Sequence, residues 1–237
     1  MVLTSLFDGR LEPLTYSIGF LSAPPERVVR AARWLYFRWP DAWRRVAVLD
    51  CGLEEALLQL QPLEGFLHPR VLVASTALNG WSAVFNGRIH GLGGRGLSVR
   101  LSRALRVPGY FVAAAPPASD PEHFPGFRQF YVLGPQTGRD HVRAVWVVDE
   151  EEDVGRWHFG TDGEVQPYED VEAYRRRRRT DRLTERMLVD YAAAVGLRPW
   201  EDSFYRPPFH LITSLRLGRD RFQRTLAQMR TEMKLDE

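Results

Sequence analysis

Strand-like runs and helically spaced runs take turns along the first half of this chain. Thr15 to Phe20 is a short apolar run that predicts a strand. Ser22 before Ala23-Pro24-Pro25 marks a helix start, because proline is tolerated in the first turn, where amides lack partners anyway. Val28, Ala31, Ala32, Leu35 and Trp39 then recur at helical spacing, with Arg27, Arg30 and Arg38 on the far side and Pro40 as the stop. Val46 to Leu49 reads as a strand, and Leu53, Leu57 and Leu60 as a second helix stopped by Pro62. Val71 to Ala74 and Trp81 to Phe85 read as strands joined by a loop carrying Asn79-Gly80. Leu97, Leu101 and Leu105 predict a helix before the strand Tyr110 to Val112.

The second half is organised differently. Phe127 to Leu133, Val142 to Val148 and Arg156 to Phe159 are three closely spaced strands, hence an antiparallel meander. Helices follow. One is predicted from Val171 to about Arg179. The next is capped by Thr184, has Leu183 and Leu188 as a hydrophobic staple, and buries Met187, Leu188, Tyr191 and Val195 before Gly196 ends it. A last helix is predicted from about Asp220 to Met233 through Phe222, Leu226 and Met229. Strands in runs followed by helices in runs predict an α+β fold: a largely antiparallel or mixed sheet packed against several helices, with a C-terminal helical segment. Residues 1–237 read as one domain, with the proline-rich stretch 116–125 as the candidate for an internal boundary.

Composition narrows the function classes. Hydrophobic residues at 44% and charged residues at 26% are ordinary globular values, and seven Trp with thirteen Phe supply an aromatic core. The single cysteine, Cys51, excludes an internal disulfide framework and multi-cysteine metal sites. Cys51 opens a helix, where a thiol can be activated, although a small buried hydrophobe is the plainer role. His68, His90, His123, His141, His158 and His210 show no metal-ligand spacing, so neither metal nor cofactor is called for. No window approaches a membrane span and no secretory leader is legible, which reads as a cytoplasmic protein with no membrane partner. A net charge of +2 does not announce a nucleic-acid binder, which stays open only as the lesser possibility.

Two motifs bear on binding. Gly91-Leu92-Gly93-Gly94-Arg95-Gly96 satisfies G-x-G-x-x-G and precedes a helix. The alternating strand before it and the lack of a carboxylate ~20 positions later do not fit a dinucleotide fold. Loop amides from Gly91, Gly93, Gly94 and Gly96, with Arg88, His90 and Arg95 beside them, suit a phosphate all the same. The second motif is Arg175 to Arg179, five consecutive arginines. Guanidinium forks grip carboxylates and phosphates, so Arg175, Arg176, Arg178, Arg179 and Arg182 form a candidate partner-binding surface. Asp149 to Asp153, five acids in a row, reads as a turn tip able to pair with that block within the chain or across a dimer.

The series Trp81-Ser-Ala-Val-Phe85, Arg156-Trp157-His-Phe159, Glu172-Ala-Tyr174, Arg177-Arg178, Asp181-Arg182-Leu183-Thr184, Met187-Leu188, Tyr191 and Phe204-Tyr205 resembles immunity-like proteins of GC-rich bacteria, found in toxin-immunity neighbourhoods. The resemblance implies a protein partner, a toxin or a second copy, and no catalytic residue. The leading expectation is thus a non-enzymatic protein-binding protein of immunity type. The alternative is an enzyme or sensor that takes a phosphorylated small molecule or nucleotide at the glycine-rich loop.

Overall fold

The structure is a computed structural model that describes residues 4–37, 43–65, 70–91, 93–116, 126–135, 139–149, 156–215 and 223–236. In chain order the elements are β1 (Ser17–Leu21), α1 (Pro25–Phe37), β2 (Trp43–Leu49), α2 (Leu53–Leu58), β3 (Leu63–Glu64), β4 (Val71–Thr76), β5 (Ser82–Asn86), α3 (Gly94–Leu105), β6 (Gly109–Ala115), β7 (Phe127–Leu133), β8 (Arg143–Asp149) and β9 (Trp157–Gly163). There follow α4 (Glu185–Ala194), β10 (Tyr205–Leu215), β11 (Gln223–Arg224) and α5 (Leu226–Glu232). A nine-stranded antiparallel sheet in the order β2-β10-β4-β5-β1-β6-β7-β8-β9 carries the fold, and β3 pairs separately with β11. The fold is α+β.

Side chains alternate across a strand, so each register assigns residues to one face or the other. On one face α1 and α3 pack over the strands from β10 to β1, closing a core of Leu21, Val28, Val73, Val84, Leu101 and Ile212. The opposite face carries the larger core, with Phe20, Leu57, Phe85, Phe130, Leu188 and Met229. β6 and β7, on either side of residues 117–125, pair along their full length.

The expected meander is present, with β7 at the predicted residues and β8 and β9 within a few. Three readings of the sequence need correction. Residues 171–179 do not form an α-helix; they form a 3₁₀ turn at Ala173–Arg175, a break, and a second turn at Arg179–Arg182. The segment lacks an apolar stripe, since Ala173 is its buried residue while Val171 is exposed, and a short helix without a packed face is not stable. The last helix starts at Leu226, where a capping box between Thr225 and Gln228 sets its first turn. β10, which Pro207-Pro208 argues against, was not expected at all. The strand tolerates them because its register with β4 shifts between Arg206 and His210, so both prolines fall where no ladder donor is needed. Pro40, Phe222 and residues 150–153 of the acidic run lie outside the described residues.

α4 follows its prediction at Met187, Leu188 and Tyr191, which are buried, whereas Val195, expected on the same buried face, is the half-buried C-cap. The Met187 amide donates to Thr184 Oγ1 at 3.2 Å, Leu183 and Leu188 are both fully buried, and Gly196 turns the chain at φ +80°. Leu188→Ala is expected to cost about 2–5 kcal/mol and Thr184→Ala about 1 kcal/mol, with exposed Arg177→Ala within about 0.5 kcal/mol of the parent, as urea melts would show. An Arg177→Ala melt more destabilised than Leu188→Ala would contradict this order.

Glu12 sits mostly buried in the N-terminal segment, accepting from Ser5 Oγ at 3.0 Å and from the Tyr16 hydroxyl at 3.2 Å. Burial raises its pKa above the ordinary 4.5 against the opposing pull of these two bonds. A raised folded-state pKa favours folding below the unfolded value and loses that contribution as pH rises through the folded one. Glu12→Gln should therefore gain stability relative to the parent between pH 4 and 7. Parallel pH profiles for the two proteins would count against it.

Candidate functional site

The α1/α3 face is only partly roofed. α3 lies over β1 and β6, and beyond it the same face of β6, β7 and β8 floors a cavity of about 580 Å³. The registers place Ser17, Ala113, Gln129, Trp146 and Gly160 in one row across five strands. A second row runs Phe111, Tyr131, Ala144 and a third Ala115, Phe127, Val148. Ala113 keeps the centre low, and the rings of Phe111, Phe127, Tyr131 and Trp146 line the cavity around it. Trp146 lies flat over Gly160, where a Cβ would come within 2.2 Å of the indole. Tyr131 and Trp146 are nearly parallel, at 11° and 6.4 Å between centroids.

The wall is cationic. α3 starts from Gly93, whose φ of +91° suits glycine, and no side chain caps its first amides. No acid stands in its first turn, where an acid would offset the helix dipole; Arg95 stands there instead. Arg95 Nη1 donates to the Tyr131 hydroxyl at 3.1 Å, and its guanidinium sits 5.0 Å over the same ring. Arg88 runs alongside Gly93, and Arg100 donates from Nε to the Gly96 carbonyl at 3.2 Å. Arg88, Arg95 and Arg100 all line the cavity, and among the described residues no Asp or Glu does. Burial raises the Tyr131 pKa, with Arg95 acting in the other direction, so Tyr131 stays a neutral phenol at pH 7.

The glycines of the loop divide between two tasks. A Cβ on Gly91 would come within 2.1 Å of the Pro13 carbonyl and one on Gly94 would crowd Ser17 Oγ at 2.8 Å, so Gly91 lets the loop close on the segment before β1 and Gly94 seats α3 on β1. Gly93 and Gly96 line the cavity, and the space beside Gly96 is open. Leu92 and the His90 side chain lie outside the description. Sequence reasoning reached Arg88, Arg95 and the glycines but missed Arg100, Gln129, Tyr131 and Trp146. Strand alternation grouped Gln129 with Tyr131, and Trp146 with Val148; only the register sets those pairs beside α3.

The arginine block is divided as well. Arg176 donates to the Asp181 carbonyl at 3.0 Å, and Arg182 donates to the Arg176 carbonyl at 2.8 Å while lying 5.6 Å over Phe159. These two arginines hold the 3₁₀ turns together. Arg175 reaches out to Glu172, both highly exposed. Arg179 donates to the Trp157 carbonyl at 2.8 Å, and with Arg156, Trp157, Arg178 and Thr180 it borders a recess of about 470 Å³.

Other features offer less. A groove of about 660 Å³ between the N-terminal segment and the α4–β10 connection carries both signs of charge, and these largely pair, Arg10 with Glu54 at 2.8 Å and Arg198 with Glu201 at 3.7 Å. The Cys51 thiol is pushed up by desolvation and by Glu55 and Asp50, the reverse of the activation that a helix start can give. No helix among the described residues is long and apolar enough to cross a membrane. No family model, curated protein or solved structure matches the chain, so the reading of its site rests on this geometry alone.

Proposed function

We propose that the chain binds a small phosphorylated ligand in the cavity at the start of α3. The observation that carries this reading is a concave site walled by three arginines, floored by aromatic rings and, among the described residues, lined by no carboxylate. Arg88, Arg95 and Arg100 repel one another and the positive end of α3, and a phosphate relieves that repulsion with charge-assisted hydrogen bonds. The volume lies within the ~300–1,000 Å³ typical of small-molecule sites. A thermal-shift titration with pyrophosphate and sugar phosphates tests the reading. A ligand at a hundred times its Kd adds about 2.7 kcal/mol of stability. A flat response to every phosphate compound would retire it.

A second reading, an immunity-type protein that neutralises a partner, is favoured by Arg177 and Arg178. Both are exposed, and among the described residues neither side chain has a hydrogen-bonding or ionic partner. Together with Trp157 they offer the arginine and tryptophan chemistry common at interface hot spots. An acidic protein that co-purifies at fixed stoichiometry, and is lost on Arg178→Ala/Arg179→Ala substitution, supports this reading. Retention by the double variant argues against it.

A further inference from the structure

The cavity has two chemically distinct ends. At one, the uncapped first turn of α3 lies beside Ser17 with Arg88 next to it, and Arg95 extends from that turn over the Tyr131 ring. At the other, Trp146 spreads flat across Gly160. Between the two, in the row Ser17-Ala113-Gln129-Trp146, stands Gln129. Its half-buried side-chain amide lines the cavity and has no hydrogen-bond partner among the described residues. A glutamine amide offers a donor pair and an acceptor side by side, the complement of a nucleobase edge. From Ser17 to Trp146 is three strand spacings, about 14 Å, the span of a phosphate, a ribose and a base laid end to end.

We propose that the ligand of this cavity is a free nucleoside monophosphate. Its phosphate meets Arg88, Arg95 and Arg100, its base lies on the Trp146 indole, and Gln129 reads the base edge. This rests on the phosphate reading above and adds the base to it. Three features separate a nucleotide from a bare sugar phosphate. The floor stays aromatic past the ring that Arg95 covers, with Trp146 one ring beyond Tyr131. The Trp146 ring is held flat by a glycine on the next strand, which leaves room for a second ring against it. Gln129, whose side-chain amide has no partner among the described residues, stands next to that ring in the register.

Isothermal titration on the full chain with AMP, GMP, CMP, UMP, ribose 5-phosphate and a 5′-phosphorylated hexanucleotide tests the inference. At least one mononucleotide should bind about tenfold tighter than ribose 5-phosphate, the increment expected from one stacked base. Trp146→Ala should erase that margin and leave ribose 5-phosphate binding unchanged. Gln129→Leu, which keeps the shape of the side chain, should bring the four mononucleotides to similar affinities without touching ribose 5-phosphate; this variant decides the matter if Trp146→Ala does not fold. Mononucleotides that bind no tighter than ribose 5-phosphate overturn the assignment while the phosphate site stands. Binding by the hexanucleotide alone overturns it in favour of a nucleic-acid end. If none of these compounds binds, the phosphate reading falls and the nucleotide falls with it.

Discussion

Arg143→Ala is expected to destabilise the protein by about 3–5 kcal/mol, because it strands a buried carboxylate. The Arg143 and Glu169 side chains are 3% and 1% exposed and form a two-pronged pair, Nε to Oε1 at 2.8 Å and Nη2 to Oε2 at 2.6 Å. The remaining capacity of both groups is also used. Arg143 Nη1 donates to the Gly163 carbonyl at 2.9 Å, and Glu169 accepts from the Gln166 amide at 2.9 Å and from the Tyr174 hydroxyl at 2.7 Å. With the Tyr174 proton committed to Glu169, the Tyr191 hydroxyl donates to Tyr174 at 3.0 Å and itself accepts from the Asp170 amide at 2.9 Å. The chain of bonds ties β8, the segment carrying the arginine block, and α4 into one unit. A pair this well satisfied offsets its own desolvation, but one member alone does not. Urea melts of Arg143→Ala, Glu169→Gln and the double variant Arg143→Met/Glu169→Leu provide the check. The double variant should recover much of the loss, since two apolar side chains leave no charge behind. A cost below about 1 kcal/mol for Arg143→Ala would mean that the pair does not anchor this segment.

Arg88→Ala/Arg95→Ala should abolish phosphate-ligand binding, with affinity falling by about 100-fold to 10,000-fold. Each charge-assisted hydrogen bond contributes about 1.5–3 kcal/mol, and each 1.4 kcal/mol is tenfold in Kd. Folding stability should change little, because both losses are small and one repulsion is relieved. Arg95 is partly exposed, and its bond to the Tyr131 hydroxyl is a modest one. The α3 N-terminus then faces fewer like charges. Arg95→Lys sharpens the test. It keeps the charge but loses the planar fork and the stacking over Tyr131, so its affinity should fall between those of parent and double variant. Titration calorimetry beside denaturant melts separates the outcomes. Binding that survives the double variant would place the phosphate elsewhere, and a large drop in stability would make these arginines part of the framework.

Much of the fold was legible because its signals are local. Helical spacing from Val28 to Leu35 marked α1, the run from Phe127 to Leu133 marked β7 to the residue, and Thr184 with Leu183 and Leu188 marked the start of α4. Each depends on residues within a turn or a few strand positions, where sterics and capping act without help from the rest of the chain. β10 escaped because its warrant is not local. Two prolines weigh against a strand, and only the shifted register with β4 and the unbroken ladder to β2 make room for them. The arginine block misled for a related reason. Five arginines satisfy helix propensity, yet without an apolar face the backbone went where the carbonyls of Trp157, Arg176 and Asp181 could be reached.

The sequence by itself determined which residues share a strand face and which loop carries exposed amides. That placed Gly93, Arg95 and Gly96 at a helix start and Gln129 on one side of β7, since alternation and positive-φ glycine are properties of neighbouring residues. The tertiary structure alone decided that β7 and β8 stand beside that helix start, that α3 stops short of covering them, and that Arg100 and Trp146 line the same cavity. Those outcomes come from pairing among strands far apart in the chain. Shifting one strand by a single residue would turn its side chains to the other face, and no short window of sequence records which pairing wins.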